Sequence, residues 1–178
     1  MSQLTQKRLC AIHEASHAVM AVNCKFHMLR ESVVISSSGH GVSPFSHDAI
    51  ATRAAAAAGR LDVEEVEKRA ALIALSGIAA EVYAHEVFNG TQVAFEDVAE
   101  SAKGDVELAV QKLCMVSGKL GTIPEQVAFL DQKLRSSQTL WKTILEFSEV
   151  LLARGSIDAN DATAIIHEIF RKHHPAEG

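Results

Sequence analysis

Five consecutive residues, His13-Glu14-Ala15-Ser16-His17, set two imidazoles and a carboxylate at a spacing suited to hydrolysis. Residues four apart on an α-helix share a face, so His13 and His17 can bind one metal ion. Glu14, beside the first imidazole, lies close to any water on that metal, where a general base must be. Imidazole ligands point to zinc rather than magnesium or calcium. The pentapeptide also fits a plain helix with two partly buried or solvated histidines and Glu14 in a surface pair.

These side chains need a helix to carry them, and Leu9, Ile12, Val19 and Met20 have amphipathic helical spacing. The pattern predicts a helix from Thr5 to Cys24, capped by Ser2 or Thr5. Next, residues 32–36 and 42–46 flank Ser37-Ser38-Gly39-His40-Gly41 and read as strand, turn, strand. Pro44 cannot donate a ladder hydrogen bond, which makes the second strand an edge. An edge beside a metal site can accept an extended peptide as a further strand, or the hairpin can simply cover the core. Residues 47–60 are alanine-rich and read as a marginal helix bordering the site, because alanine favours helix but buries little.

A stronger helix is predicted from Asp62 to Val87, with small residues in its middle that permit close packing. After Asn89-Gly90 come an acidic segment (Glu96, Asp97, Glu100), a helix from Asp105 to Ser117, and a break at residues 118–124. Two helices complete the pattern, Pro124–Arg154 and Asp158–Lys172. The fold class is mainly α (α+β): one helical domain over residues 1–178 with a small β-hairpin near the site.

Composition restricts the setting. A chain of 178 residues that is 48% hydrophobic can bury roughly 70% of its unfolded surface without disulfides. Cys10, Cys24 and Cys114 are odd in number, lack C-x-x-C spacing, and read as reduced, largely buried thiols in a cytoplasmic protein. His13, Glu14 and His17 interrupt the N-terminal apolar stretch, which argues against a signal peptide, and the pattern shows no membrane span. A net charge of −5 without a long basic cluster argues against nucleic acid as the main ligand. His27, His40, His47, His85 and His167 read as surface or satisfied polar residues, with His40 the one placed for substrate contact. His173 and His174 belong to a polar tail expected to fray and to bind added metal weakly.

The chain resembles the peptidase domain of the FtsH-type ATP-dependent zinc proteases. His13-Glu14-Ala15-Ser16-His17-Ala18 is similar to that family's H-E-A-G-H-A, and the hairpin at 32–46 follows in order. Leu75-Ser76-Gly77-Ile78-Ala79-Ala80-Glu81 resembles its L-G-G-R-A-A-E, and residues 101–109 resemble its G-A-S-N-D-I-x-x-A. Residues 151–158 are similar to its L-L-x-x-x-x-L-D. The resemblance implies a zinc metallopeptidase acting on unfolded proteins or peptides, with Glu14 as general base. It places the third zinc ligand, beside His13 and His17, at Asp105. Asp97 is the rival, because its distance from Glu81 is closer to the family's spacing, and whichever is not a ligand can orient one. Glu81 reads as structural or as a group supporting a ligand. The family's peptidase domains form hexameric rings, so the resemblance allows a homo-oligomer, while the helix faces here do not announce a subunit interface.

Two departures bear on activity. The family's glycine is Ser16 here, which adds a side chain that can narrow the space near the metal. The chain also has no G-x-x-x-x-G-K-[ST] loop, so unfolding by ATP calls for a separate ATPase. A silent peptidase-like interaction module is the alternative to an active enzyme.

Overall fold

The structure, a computed structural model, describes residues 4–117 and 121–174. It is mainly helical with short antiparallel strands, as the hydrophobic periodicity predicts. The central element is α1 (Gln6–Val22), whose N-cap Thr5 accepts a hydrogen bond from the Arg8 backbone N–H; Ser2 lies outside the described residues. Residues 9–19 of α1 are buried without a break. A helix surrounded in this way needs small residues, and Ala11, Ala15, Ser16 and Ala18 supply them.

Between α1 and α3 the chain forms β1 (His27–Leu29), β2 (Val33–Ile35), β3 (Gly41–Val42), β4 (Phe45–His47) and α2 (Ala49–Ala57). The helix α3 (Val63–Asn89) starts at Asp62, which accepts from the Glu65 N–H, and ends at Gly90 in the left-handed conformation. It packs against α1, α5 and α6. By length and composition α3 is apolar enough to cross a membrane. Within the structure Ala71, Ile73, Leu75, Ile78 and Ala80 of this helix are buried in one cluster with Ile12 and Val19 of α1. Each large aliphatic chain buried there contributes about 1.5–3 kcal/mol.

The remaining helices are α4 (Phe95–Ala99), α5 (Lys103–Leu113), α6 (Ile123–Ser136), α7 (Gln138–Arg154) and α8 (Ala159–His173), with β5 (Ser156–Ile157) before α8. Several expectations are corrected. The predicted second hairpin strand divides at Pro44: β3 pairs with β2 (Val34 opposite Val42), while β4 pairs with β1 (His27 opposite His47). Proline interrupts one ladder, and its carbonyl accepts from the Arg30 N–H in the other. Strand β5 adds to the far side of β2, so β3 is the outer strand of a β3-β2-β5 sheet. The predicted helix over Pro124–Arg154 breaks at Ser137, which leaves helical geometry and accepts from the Leu140 N–H as the cap of α7.

The alanine-rich α2 forms and buries only Ala55, in a small cluster with Phe26 and Val66. It does not border the site. Cys114 is exposed rather than buried. Helix α8 continues to His173, whose Nε2 lies 2.9 Å from Glu146 Oε2, while Pro175, at the end of the tail expected to fray, lies outside the described residues.

Candidate metal centre

Helix α1 presents His13, Glu14 and His17, α3 presents Glu81, and α5 presents Asp105 in its first turn. The close seam between α1 and α3 decides the geometry. A Cβ at Gly77 would lie 2.5 Å from His13 Nε2, so only glycine lets this ring rest against the backbone of α3. On the other flank, a Cβ at Gly41 would lie 2.4 Å from Glu14 Cγ. The Ser43 hydroxyl donates to the Glu14 carbonyl at 2.8 Å, which ties the strand pair to α1.

His13 and His17 are 7% and 4% exposed, so each ring nitrogen needs a defined partner. His17 Nδ1 lies 2.7 Å from the Ile73 carbonyl oxygen, which can only accept, so Nδ1 carries the proton. His13 Nδ1 likewise donates to Glu81 Oε1 at 2.6 Å. Both Nε2 atoms therefore face inward, 2.9 Å apart. Asp105 Oδ2 completes the group, 2.9 Å from His13 Nε2 and 3.5 Å from His17 Nε2.

Three electron-pair donors this close repel one another unless a cation or proton lies among them. Tetrahedral zinc with bonds of about 2.0–2.1 Å sets its ligand atoms roughly 3.3–3.4 Å apart, and the observed separations of 2.9, 2.9 and 3.5 Å bracket that value. The buried group can hold a metal ion. Electrostatics favour positive charge at the same point. Burial opposes charging of His13, but hydrogen bonds to Asp105 and Glu81 outweigh it and push the imidazole up to about 10. Burial likewise works against the Asp105 carboxylate, yet His17 and His13 hold it well below the usual carboxylate range.

The carboxylate of Glu14 faces the same cleft, which has a volume of about 570 Å³ and is bordered by His40, Val42, Phe45, Asp105 and Leu108. Glu14 is 6% exposed, and its Oε2 is buried without a hydrogen-bond partner among the described residues. A buried acceptor in this position calls for a donor from the cleft, which a water can provide.

Asp105, not Asp97, joins the histidines. Asp97 is exposed and accepts from the Ala94 N–H at 3.0 Å, the ordinary task of an Asp at a helix start. Glu81 supports His13, in line with its expected supporting role. The Ser16 hydroxyl donates to the Ser76 carbonyl at 2.9 Å within the helix seam, so it does not narrow the cleft. His27, read as a surface or satisfied polar residue, is buried, with Nδ1 3.1 Å from Cys24 Sγ and Nε2 without a hydrogen-bond partner among the described residues. The sequence pattern did not single out Gly41, Gly77 or the Ile73 carbonyl, because their roles exist only where helices and strands meet. No protein-family model matches the chain, and no curated protein matches it, so the site's chemistry is read from its own geometry.

Proposed function

We propose that the chain is a zinc-dependent metallopeptidase that hydrolyses peptide bonds in unfolded proteins or peptides. The observation that carries this reading is the convergence of His13 Nε2, His17 Nε2 and Asp105 Oδ2 beside the unpartnered Glu14 Oε2 in one cleft. His13, His17 and Asp105 would hold the zinc, which would supply a Lewis acid able to polarise a scissile carbonyl and acidify a water. Glu14 accepts the proton of the attacking water and delivers it to the leaving amine. Glu81 and the Ile73 carbonyl fix both imidazoles with Nε2 free to ligate. The outer strand β3, which contributes Gly41 and Val42 to the cleft wall, offers backbone groups to an extended substrate.

The likeness to FtsH-type peptidases supports the same reading and extends it to a cytoplasmic, ring-forming peptidase supplied with unfolded substrate by an ATPase on another chain. The experiment is zinc analysis and casein cleavage for three forms. Wild type is expected to bind one zinc and cleave, Glu14→Gln to keep zinc and lose cleavage, and His17→Ala to lose both. Cleavage by Glu14→Gln at the wild-type rate refutes the mechanism. Stoichiometric zinc in a wild type that cleaves neither casein nor a peptide library would instead favour an interaction module.

A further inference from the structure

A cavity of about 790 Å³ is walled by residues of α1, α3, α6, α7 and α8, and it shares no lining residue with the metal cleft. Small-molecule sites occupy about 300–1,000 Å³, so its size suits one ligand. Met20, Leu72, Leu140 and Phe170 give it apolar walls, and Phe129 of α6, which also lines it, is 52% exposed. Apolar side chains gathered around an open space gain by taking an apolar group out of water.

A cationic edge accompanies this lining. Lys68, Arg69 and Lys133 line the cavity against a single carboxylate, Glu65, in a chain whose net charge is −5. Arg69 Nε donates to Glu65 Oε1 at 2.7 Å, so these two charges satisfy each other. Lys68 and Lys133 are left, and neither ammonium has an ion-pair partner among the described residues. Lys68 is half-buried, so an uncompensated cation stands beside the apolar wall. The two kinds of side chain are also paired along the helices. Lys68 and Leu72 are four residues apart on α3, and Phe129 and Lys133 are four apart on α6, so each helix offers one cation and one apolar group on the same face.

We propose that this cavity binds an amphipathic anion, a free fatty-acid carboxylate, with its acyl chain against Leu72, Phe129 and Leu140 and its carboxylate paired with Lys68 and Lys133. The apolar wall supplies affinity, and the two ammonium groups supply the choice of sign. A neutral alcohol of the same length forgoes the charge pairing, and a cation of the same length meets repulsion. The site is independent of zinc and of the peptidase reading, because none of the residues assigned to metal or proton transfer lines it.

The test is calorimetric titration of the full chain with decanoate, below its micelle concentration and in chelator, which removes any metal that a carboxylate could bind in the other cleft. One decanoate per chain is expected, bound at least about tenfold more tightly than decanol or decyltrimethylammonium. A Lys68→Glu/Lys133→Glu double variant should bind decanoate about tenfold or more weakly and decyltrimethylammonium more tightly, because attraction becomes repulsion. Lys142→Glu reverses an exposed charge outside the cavity and should change neither. Phe129→Gln, at an exposed position, should weaken all three ligands. The proposal is overturned if decanoate does not bind, if decanol binds as tightly, or if the double variant keeps wild-type affinity for decanoate. Pelleting of the chain with phosphatidylglycerol vesicles without binding of free decanoate would assign these cations to a membrane surface and overturn it as well.

Discussion

Replacing Gly77 with alanine should separate metal binding from folding. The added Cβ would lie 2.5 Å from His13 Nε2 and 2.6 Å from Cδ2, well inside van der Waals contact. The ring cannot yield without loss, because its Nδ1 is held by Glu81 at 2.6 Å and its other side faces Asp105 and His17. Turning it away removes one of three ligands. Disturbing the groups that merely support a ligand already costs 10–100-fold in affinity as an order of magnitude. Displacing the ligand itself should therefore cost about 100-fold or more, or at least ~2.7 kcal/mol at 1.36 kcal/mol per decade. Stability should change far less: alanine in a helix interior gains about 1 kcal/mol over glycine, against about 1–3 kcal/mol for overpacking the seam. The net cost is therefore about 0–2 kcal/mol. Competitive zinc titration with a chelating indicator and urea unfolding of the metal-free protein measure the two quantities separately. A Gly77→Ala protein that folds and binds zinc with wild-type affinity would refute the account of how this site is built.

Gly41→Ala should have the complementary effect, because its Cβ meets Glu14 rather than a ligand: zinc stays bound while casein cleavage falls at least about tenfold, and equal cleavage would show that Glu14 need not hold this position. Without metal, the raised His13 pKa stabilises the fold fully below its unfolded value of 6.5, and that contribution disappears as pH rises through about 10. Asp105 acts in the opposite direction, its contribution being present above its unfolded value of 3.8 and lost as pH falls through its depressed folded value. Thermal melts in chelator should therefore decline from pH 6.5 toward pH 10. Zinc must displace the His13 proton, so apparent zinc affinity should rise about tenfold per pH unit over roughly pH 7–9, and a flat profile would contradict the assigned proton. Phe147→Ala in α7, at a position with 0% exposure, should cost about 3–5 kcal/mol in urea unfolding with the site chemistry otherwise unaltered.

Local rules made much of the fold legible. Thr5, Asp62 and Asp158 cap helices where their side chains can accept backbone N–H groups, and Gly90 closes α3 because it tolerates the left-handed conformation. The same rules fail where local preference meets a competing partner. Helical periodicity continues across Ser137, but the chain turns there so that α6 packs on α3 while α7 packs on α1. Strands of two or three residues such as β1 and β5 carry too little alternation to be read, and they exist because β4 and β2 pair with them.

By itself the sequence determined that His13, Glu14 and His17 share one helix in a mainly helical chain, since residue spacing and helix pitch fix that relation locally. Only the tertiary structure chose Asp105 over Asp97, because the choice depends on which helix start reaches α1 and not on residue type. The same is true of the proton on each imidazole. Glu81, 68 residues from His13 in the chain, and the Ile73 carbonyl, 56 residues from His17, occupy the two Nδ1 atoms and turn both Nε2 atoms toward one point. A pentapeptide that could have been an ordinary solvated helix face thereby becomes a buried set of electron-pair donors able to hold a cation.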